Sequence, residues 1–143
     1  MRPAYRTRQV VNALNLSTLL GLALAKLSGA GLSRGEDGLV IATGVRRRLL
    51  SASAFTVGNV VIVAVDAPSA ELLRHEARHA TQWACCVLLF LPLYWLAAGW
   101  SYLRAGDHWS RNVFERRAGL LDGGYTEAPL RRVWIRHRDD PRG

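Results

Sequence analysis

The chain begins with a basic segment followed by an apolar run that polar side chains interrupt. Residues 10–27 are mostly apolar, and the interruptions are the amide and hydroxyl residues Asn12, Asn15, Ser17 and Thr18. An apolar stretch of this length predicts a helix packed on a protein core. The alternative is a signal peptide cleaved after Ala23-Leu24-Ala25, but the polar residues weaken its apolar region. We therefore expect an N-terminal helix that belongs to the fold.

Short β-branched runs separated by glycine-containing turns follow. Residues 28–36 predict a turn, and residues 35–38 predict a hairpin tip ahead of a strand over 39–43. Residues 54–65 are rich in valine and are interrupted by Gly58-Asn59, which predicts one or two strands. The pattern therefore predicts a small sheet that precedes the next helix.

Helical patterns fill most of the second half of the chain. Asp66 or Ser69 can cap the free amides of a helix that starts near Pro68. Pro92 should break or kink this helix, because proline has no N–H to donate, and we expect a helical hairpin there. The helices are expected from about residue 68 into 83–90, over 93–104 and over 113–121. Together with the sheet, they predict an α+β fold.

Length and composition limit the domain organisation. The chain has 143 residues, of which 50% are hydrophobic and 21% are charged. These values suit one folded domain and exclude a chain that is disordered, collagen-like or coiled-coil throughout. We expect a single domain over residues 1–138 and a flexible tail over 139–143.

The formal net charge is +8, and Lys26 is the only lysine. A positive excess of this size attracts phosphate on lipids or on nucleic acids. Arg46, Arg47 and Arg48 are expected on a solvated strand or loop. The segment 130–138 interleaves arginine with Trp134, for which we favour a solvated terminus, then an anionic lipid surface. Nucleic acid is not expected as a partner.

The two cysteines, Cys85 and Cys86, are adjacent in an apolar run. An α-helix would point their side chains about 100° apart, which excludes a disulfide framework. We expect both to be small buried side chains in a reducing compartment rather than metal ligands.

Residues 80–103 carry no formal charge, and as one straight helix they would be long enough to cross a bilayer of about 30 Å. Pro92 interrupts this run, and Glu115 would then lie about 36 Å from His79. A membrane span and a metal site that joins these two residues therefore exclude each other. We expect a folded hairpin whose surplus apolar surface contacts a membrane face or a partner.

His75, Glu76 and His79 form an HExxH motif. Positions i and i+4 of a helix lie on one face, one turn apart, so both imidazoles can bind one zinc ion. Glu76 is offset from that face and can act as the general base for a zinc-activated water. Two histidines in ordinary hydrogen bonds are the structural alternative.

A catalytic zinc site needs a third protein ligand. Glu115 is the best candidate, since Ala118 three residues later would let its short helix pack closely. The alternative is a capping box, in which Asn112 caps the helix and Glu115 bonds back to it. His108 is a further candidate, either as a ligand or as a donor to the developing oxyanion, and His137 is the remaining histidine.

Three segments together resemble a known family. Residues 55–59 and 72–82 resemble the zinc metallopeptidase domain found with extracellular contractile injection systems and in related small bacterial proteins. Residues 112–118 resemble the glutamate helix of gluzincins, the HExxH group whose third metal ligand is glutamate. The HExxH portion is the specific part of this resemblance.

The resemblance implies a small zincin-like domain with Zn²⁺ held by His75, His79 and Glu115 and a base at Glu76. It also implies that a strand near residues 55–63 forms a wall of the cleft and pairs with extended peptide. The substrate-binding candidates on this segment are Thr56, Gly58 and Asn59. Arg78 departs from the usual small residue before the second histidine, and it would weaken cation binding only if it pointed at the site.

These observations predict a zinc-dependent peptidase that acts on peptides or proteins. Because the chain is short, a homodimer, a partner chain or the bilayer is expected to complete the cleft. We expect it in the cytoplasm, peripheral to the inner face of the membrane, with an integral protein as the alternative. The rival functions are a zinc-stabilised binding module without catalysis and a basic membrane or nucleic-acid adaptor without metal.

Overall fold

The computed structural model describes residues 3–45 and 52–131. Its contacts divide the chain into two compact units, Met1–Phe90 and Leu91–Gly143, and the single domain over residues 1–138 stays a prediction. Arg46 to Arg48, His137 and residues 139–143 lie outside the described part of the chain.

The helices are α1 (Pro3–Leu14), α2 (Ser17–Leu27), α3 (Ala70–Cys86), α4 (Phe90–Ala105) and α5 (Val113–Ala118), and the strands are β1 (Gly31–Arg34), β2 (Val40–Thr43), β3 (Ala54–Val57) and β4 (Val60–Val63). The α+β class is confirmed.

The four strands form one mixed sheet in the order β1-β2-β4-β3. β1 pairs antiparallel with β2 and β3 pairs antiparallel with β4, whereas β2 and β4 are parallel. The predicted hairpin tip at residues 35–38 is therefore confirmed. The segment 54–65 forms two strands joined at Gly58-Asn59, and Gly58 adopts a φ of 61° that favours glycine.

Helices cover both faces of the sheet in the first unit. All four residues of the central strand β4 are buried, and alternate residues point to opposite faces. Val61 and Val63 pack with Ala80 of α3 on one face, and Val60 and Ile62 pack with Ala25 of α2 on the other. This arrangement fixes α3, which carries the HExxH motif, against the sheet.

The polar side chains that interrupt the N-terminal apolar run form hydrogen bonds within the fold. The Asn12 side-chain amide donates to Asn59 Oδ1 (3.2 Å) and to the Ala80 carbonyl (2.8 Å). The Ser17 hydroxyl donates to the Asn12 carbonyl (3.2 Å), and Asn12 and Ser17 are both fully buried. These groups join α1 and α2 to α3 and to the β3–β4 turn. The run forms two helices where we expected one.

The helical conformation breaks directly after α3. Val87 has a φ of 54° and a ψ of −137°, and residues Val87–Leu89 form a short 3₁₀ turn. The Phe90 ring lies 6.2 Å from the His79 ring and 4.9 Å from the Trp83 ring. Along a straight helix, residues 79 and 90 would lie about 16 Å apart. The break therefore precedes the position expected at Pro92, because proline is tolerated in the first turn of a helix.

In the second unit, α4 and α5 are joined by an ordered turn. Asp107 Oδ1 accepts hydrogen bonds from the backbone N–H groups of Trp109 (2.8 Å) and Ser110 (2.7 Å). Helix α5 ends at Ala118, earlier than the expected residue 121, because Gly119 has a φ of 91°.

The segment Ala70–Ala105 is long and apolar enough to cross a membrane by length and composition, and 17% of its most apolar window is buried. Cys85 is exposed and Cys86 is half-buried, and both are free thiols. The expectation that both cysteines are buried is therefore wrong, since α3 turns Cys85 to its outer side.

Candidate metal centre

The HExxH motif lies in the middle of α3, on the face that meets the sheet. His75, Glu76 and His79 are 2%, 3% and 7% exposed. The helix begins where expected, with Ser69 Oγ accepting from the backbone N–H of Leu72 (3.2 Å). The Nε2 atoms of the two histidines are 3.0 Å apart, so one turn of helix presents both imidazoles to one point. Arg78 is exposed, which is the orientation that leaves cation binding unaffected.

A glutamine side chain orients the second histidine. Gln82 Oε1 lies 2.8 Å from His79 Nδ1, and an amide oxygen at this distance accepts the Nδ1 proton. His79 then carries its lone pair on Nε2, the atom that faces His75. Metal-binding histidines are commonly held in this way through their second nitrogen.

The strand β3 holds the glutamate of the motif. The Thr56 hydroxyl donates to Glu76 Oε2 at 2.6 Å, and both side chains are buried. The indole N–H of Trp83 donates to the Thr56 carbonyl at 2.8 Å. Thr56 therefore fixes one oxygen of Glu76 and also anchors α3 to the edge strand of the sheet.

Glu115 lies in the first turn of α5 and is 3% exposed. Asn112 caps this helix, since its Oδ1 accepts from the backbone N–H of Phe114 (3.0 Å). The backbone N–H of Asn112 donates to the Trp109 carbonyl (3.0 Å) rather than to Glu115. The capping-box arrangement is therefore not formed. Ala118 is fully buried, as expected for close packing of this helix.

Tyr94 contacts the Glu115 carboxylate. The Tyr94 hydroxyl donates to Glu115 Oε1 at 2.5 Å, and the Tyr94 ring lies 6.2 Å from the Phe114 ring.

Among the described residues, His75, His79 and Glu115 form a group that could hold a metal ion. One ligand atom from each lies within 4.8 Å of the other two, and all three side chains are buried. Two imidazole nitrogens and one carboxylate oxygen form a donor set typical of catalytic zinc. The residues present therefore fit a zinc ion.

The other predicted site residues lie elsewhere in the fold. Asn59 is 3% exposed, and its amide donates to Thr18 Oγ1 (3.2 Å). A Cβ at Gly58 would lie 2.4 Å from the backbone nitrogen of Thr18. His108 is exposed and stacks on Tyr102 at 4.8 Å between ring centroids. Substrate binding by Thr56, Gly58 and Asn59 and a catalytic role for His108 stay predictions.

The contacts of two residues in this region, Gln82 and Tyr94, were not predicted from the sequence. Gln82 is three positions after His79, so helical spacing alone puts both on one side of α3. Tyr94 gives no such signal, because its partner Glu115 is 21 positions away.

Comparisons with family models, with curated proteins and with solved structures give no match for this chain.

Proposed function

We propose that the protein is a zinc-dependent peptidase of the gluzincin type, similar to the metallopeptidase domain associated with extracellular contractile injection systems. The proximity of His75, His79 and Glu115 carries this proposal. A zincin-like arrangement of a small sheet, an HExxH helix, a helical hairpin and a short glutamate-bearing helix is part of it.

His75, His79 and Glu115 would hold the zinc ion. When bound, zinc lowers the pKa of a water molecule toward neutrality and polarises a carbonyl oxygen. The chain's contribution is to keep these donors in place. Gln82 holds His79 in the tautomer with Nε2 available, and Tyr94 holds one oxygen of Glu115.

Glu76 would act as the general base. It lies on the same helical turn as the two histidines, and one carboxylate oxygen is fixed by Thr56. Its role would be to take a proton from the attacking water and to deliver it to the amine that leaves. A fixed carboxylate needs little reorganisation for this transfer.

The substrate would be a peptide or protein segment in extended conformation. β3 is an edge strand of the sheet, and edge strands bind extended peptides through their backbone. A second copy or a partner chain would complete the cleft.

We propose a cytoplasmic location at the inner face of the membrane, with an integral protein as the alternative. Free cysteines are typical of reducing compartments. The exposed apolar residues of α4 support the membrane contact.

A zinc-stabilised binding module without catalysis is the second candidate. The contact of Glu76 with Thr56 favours it, since buried polar side chains are commonly paired for structural reasons. A basic membrane adaptor without metal is the third.

Metal analysis of the purified protein tests the zinc site, and we expect about one zinc per chain. Glu115→Ala should lose the metal. Glu76→Gln should keep the metal and abolish cleavage of an unstructured protein such as casein, read out as new termini by mass spectrometry. Glu71→Gln, an exposed carboxylate on the same helix, is the matched control and should keep both properties.

Each candidate gives a different result. Zinc without cleavage in the wild-type protein supports the binding module, and a protein without zinc supports the adaptor. If the Glu76→Gln variant cleaves at the wild-type rate, Glu76 is not the general base.

A further inference from the structure

The outward surface of α4 is apolar along its whole length. Six large side chains, each 41–71% exposed, define what we call the α4 outer surface: Leu91, Leu93, Trp95, Leu96, Trp100 and Leu103. The packed side of the helix carries small residues, of which Ala98 is 1% exposed and Ser101 is fully buried. Apart from Phe90 and Tyr94 near its start, the large apolar residues of α4 therefore face outward and its small residues face inward.

A helix whose outer side faces water normally carries charged residues on that side. The distribution on α4 is the reverse. It matches helices whose outer side faces lipid, in which small residues mediate close packing. The first charged residue of α4 is Arg104, in its last turn. The most apolar window of Ala70–Ala105 has a mean hydropathy of 1.7.

The geometry of α4 favours insertion into one leaflet. The helix has 16 residues and is about 24 Å long, which is shorter than the hydrocarbon core of about 30 Å. The helix also breaks at Val87, before α4, so the 36-residue segment is not one continuous straight helix.

Aromatic and cationic side chains gather at the C-terminal end of α4. His108 stacks on Tyr102, and Trp109 stacks on Tyr125 with 5.4 Å between centroids. The guanidinium groups of Arg104 and Arg131 lie over the rings of Trp100 (5.7 Å) and Tyr102 (5.2 Å). Tryptophan and tyrosine are enriched at the headgroup level of membranes, and arginine binds lipid phosphate.

We infer that the α4 outer surface docks on a bilayer that contains anionic phospholipid, with its leucines among the acyl chains and its aromatic and arginine end at the headgroups. This inference names the lipid partner and the docking residues for the location proposed above. It requires neither zinc nor catalysis, so it can fail while the peptidase proposal stands.

Flotation of the full chain with vesicles tests the inference. Binding should be stronger to phosphatidylcholine vesicles that contain 30% phosphatidylglycerol than to phosphatidylcholine alone. Leu96→Ser should weaken binding to both by about tenfold, since a leucine side chain is no longer buried in lipid. Arg131→Gln should weaken only the binding to anionic vesicles, by about fivefold.

The matched control is Leu27→Ser, since Leu27 is also highly exposed but lies on α2. Its binding should equal that of the wild type, and an equal loss would overturn the assignment to α4. Zinc content should be the same in all variants. Extraction by alkaline carbonate should release the protein, so retention would overturn peripheral docking in favour of a span. If Leu96→Ser changes the oligomeric state and not vesicle binding, the surface is an interface between copies and the inference is wrong.

Discussion

The hydroxyl group of Tyr94 donates a 2.5 Å hydrogen bond to Oε1 of Glu115, so α4 and α5 meet at the carboxylate that we propose as the third zinc ligand. A hydrogen bond of this kind orients a metal-binding carboxylate. Tyr94 therefore acts on the metal through Glu115 in this proposal.

Tyr94→Phe should weaken zinc binding by about 10- to 100-fold, because the carboxylate loses the donor that holds it. Competition with a chromophoric chelator measures the zinc dissociation constant directly. Tyr102→Phe is the control, since Tyr102 lies on the same helix and is 45% exposed. If Tyr94→Phe binds zinc as tightly as the wild type, Tyr94 does not position the ligand.

Gln82→Leu should also weaken zinc binding, since His79 would lose the acceptor that keeps the proton on Nδ1. Loss of such a partner typically lowers metal affinity by about 10- to 100-fold. Gln82→Glu restores an acceptor and should recover most of the affinity in the same competition assay. Thr81→Ala, at the exposed neighbouring position, should have no effect. Equal affinities for Gln82→Leu and Gln82→Glu would contradict the orienting role.

The local elements of the fold could be predicted because each has its own cue in the sequence. Gly58 allows the positive φ of the β3–β4 turn, and Ser69 supplies the cap at which α3 begins. The HExxH spacing predicted the arrangement of both histidines and Glu76 for the same reason, since a helix fixes the relative directions of its side chains. These expectations needed no knowledge of distant contacts.

The break after α3 could not be predicted in this way. Val87 adopts a positive φ that β-branched residues rarely accept, so the local sequence does not favour a break there. Pro92 gave the stronger cue, yet it is compatible with the first turn of α4. The contact of Tyr94 with Glu115 depends on the turn that joins α4 to α5, so no local pattern indicates it.

Asn59→Ala should destabilise the protein by about 1–3 kcal/mol, because it removes a buried partner of Asn12 and Thr18 and leaves polar groups without hydrogen bonds. Urea denaturation followed by circular dichroism measures this change. Ser33→Ala, on the exposed strand β1, should change stability by less than about 0.5 kcal/mol. If Asn59→Ala instead leaves stability unchanged and raises the KM for peptide, Asn59 is a substrate-binding residue as the sequence suggested.

The turn at Asp107 should make stability depend on pH. Partial burial tends to raise the pKa of this carboxyl, but hydrogen bonds from the side chain and backbone of Ser110 and from the backbone of Trp109 outweigh it, so its pKa lies below the usual value. A lowered pKa means that the folded state holds the charged form more strongly than the unfolded chain does. The resulting stability is complete above the unfolded pKa of about 3.9 and is lost as the pH falls through the lower folded pKa.

Asp107→Asn removes the charge at every pH, so the difference in unfolding free energy between wild type and variant should be largest at neutral pH and should shrink in acid. Denaturant titrations of both proteins at pH 7 and in acid measure it, and a difference that stays constant with pH would show that the turn is not stabilised by the carboxylate charge.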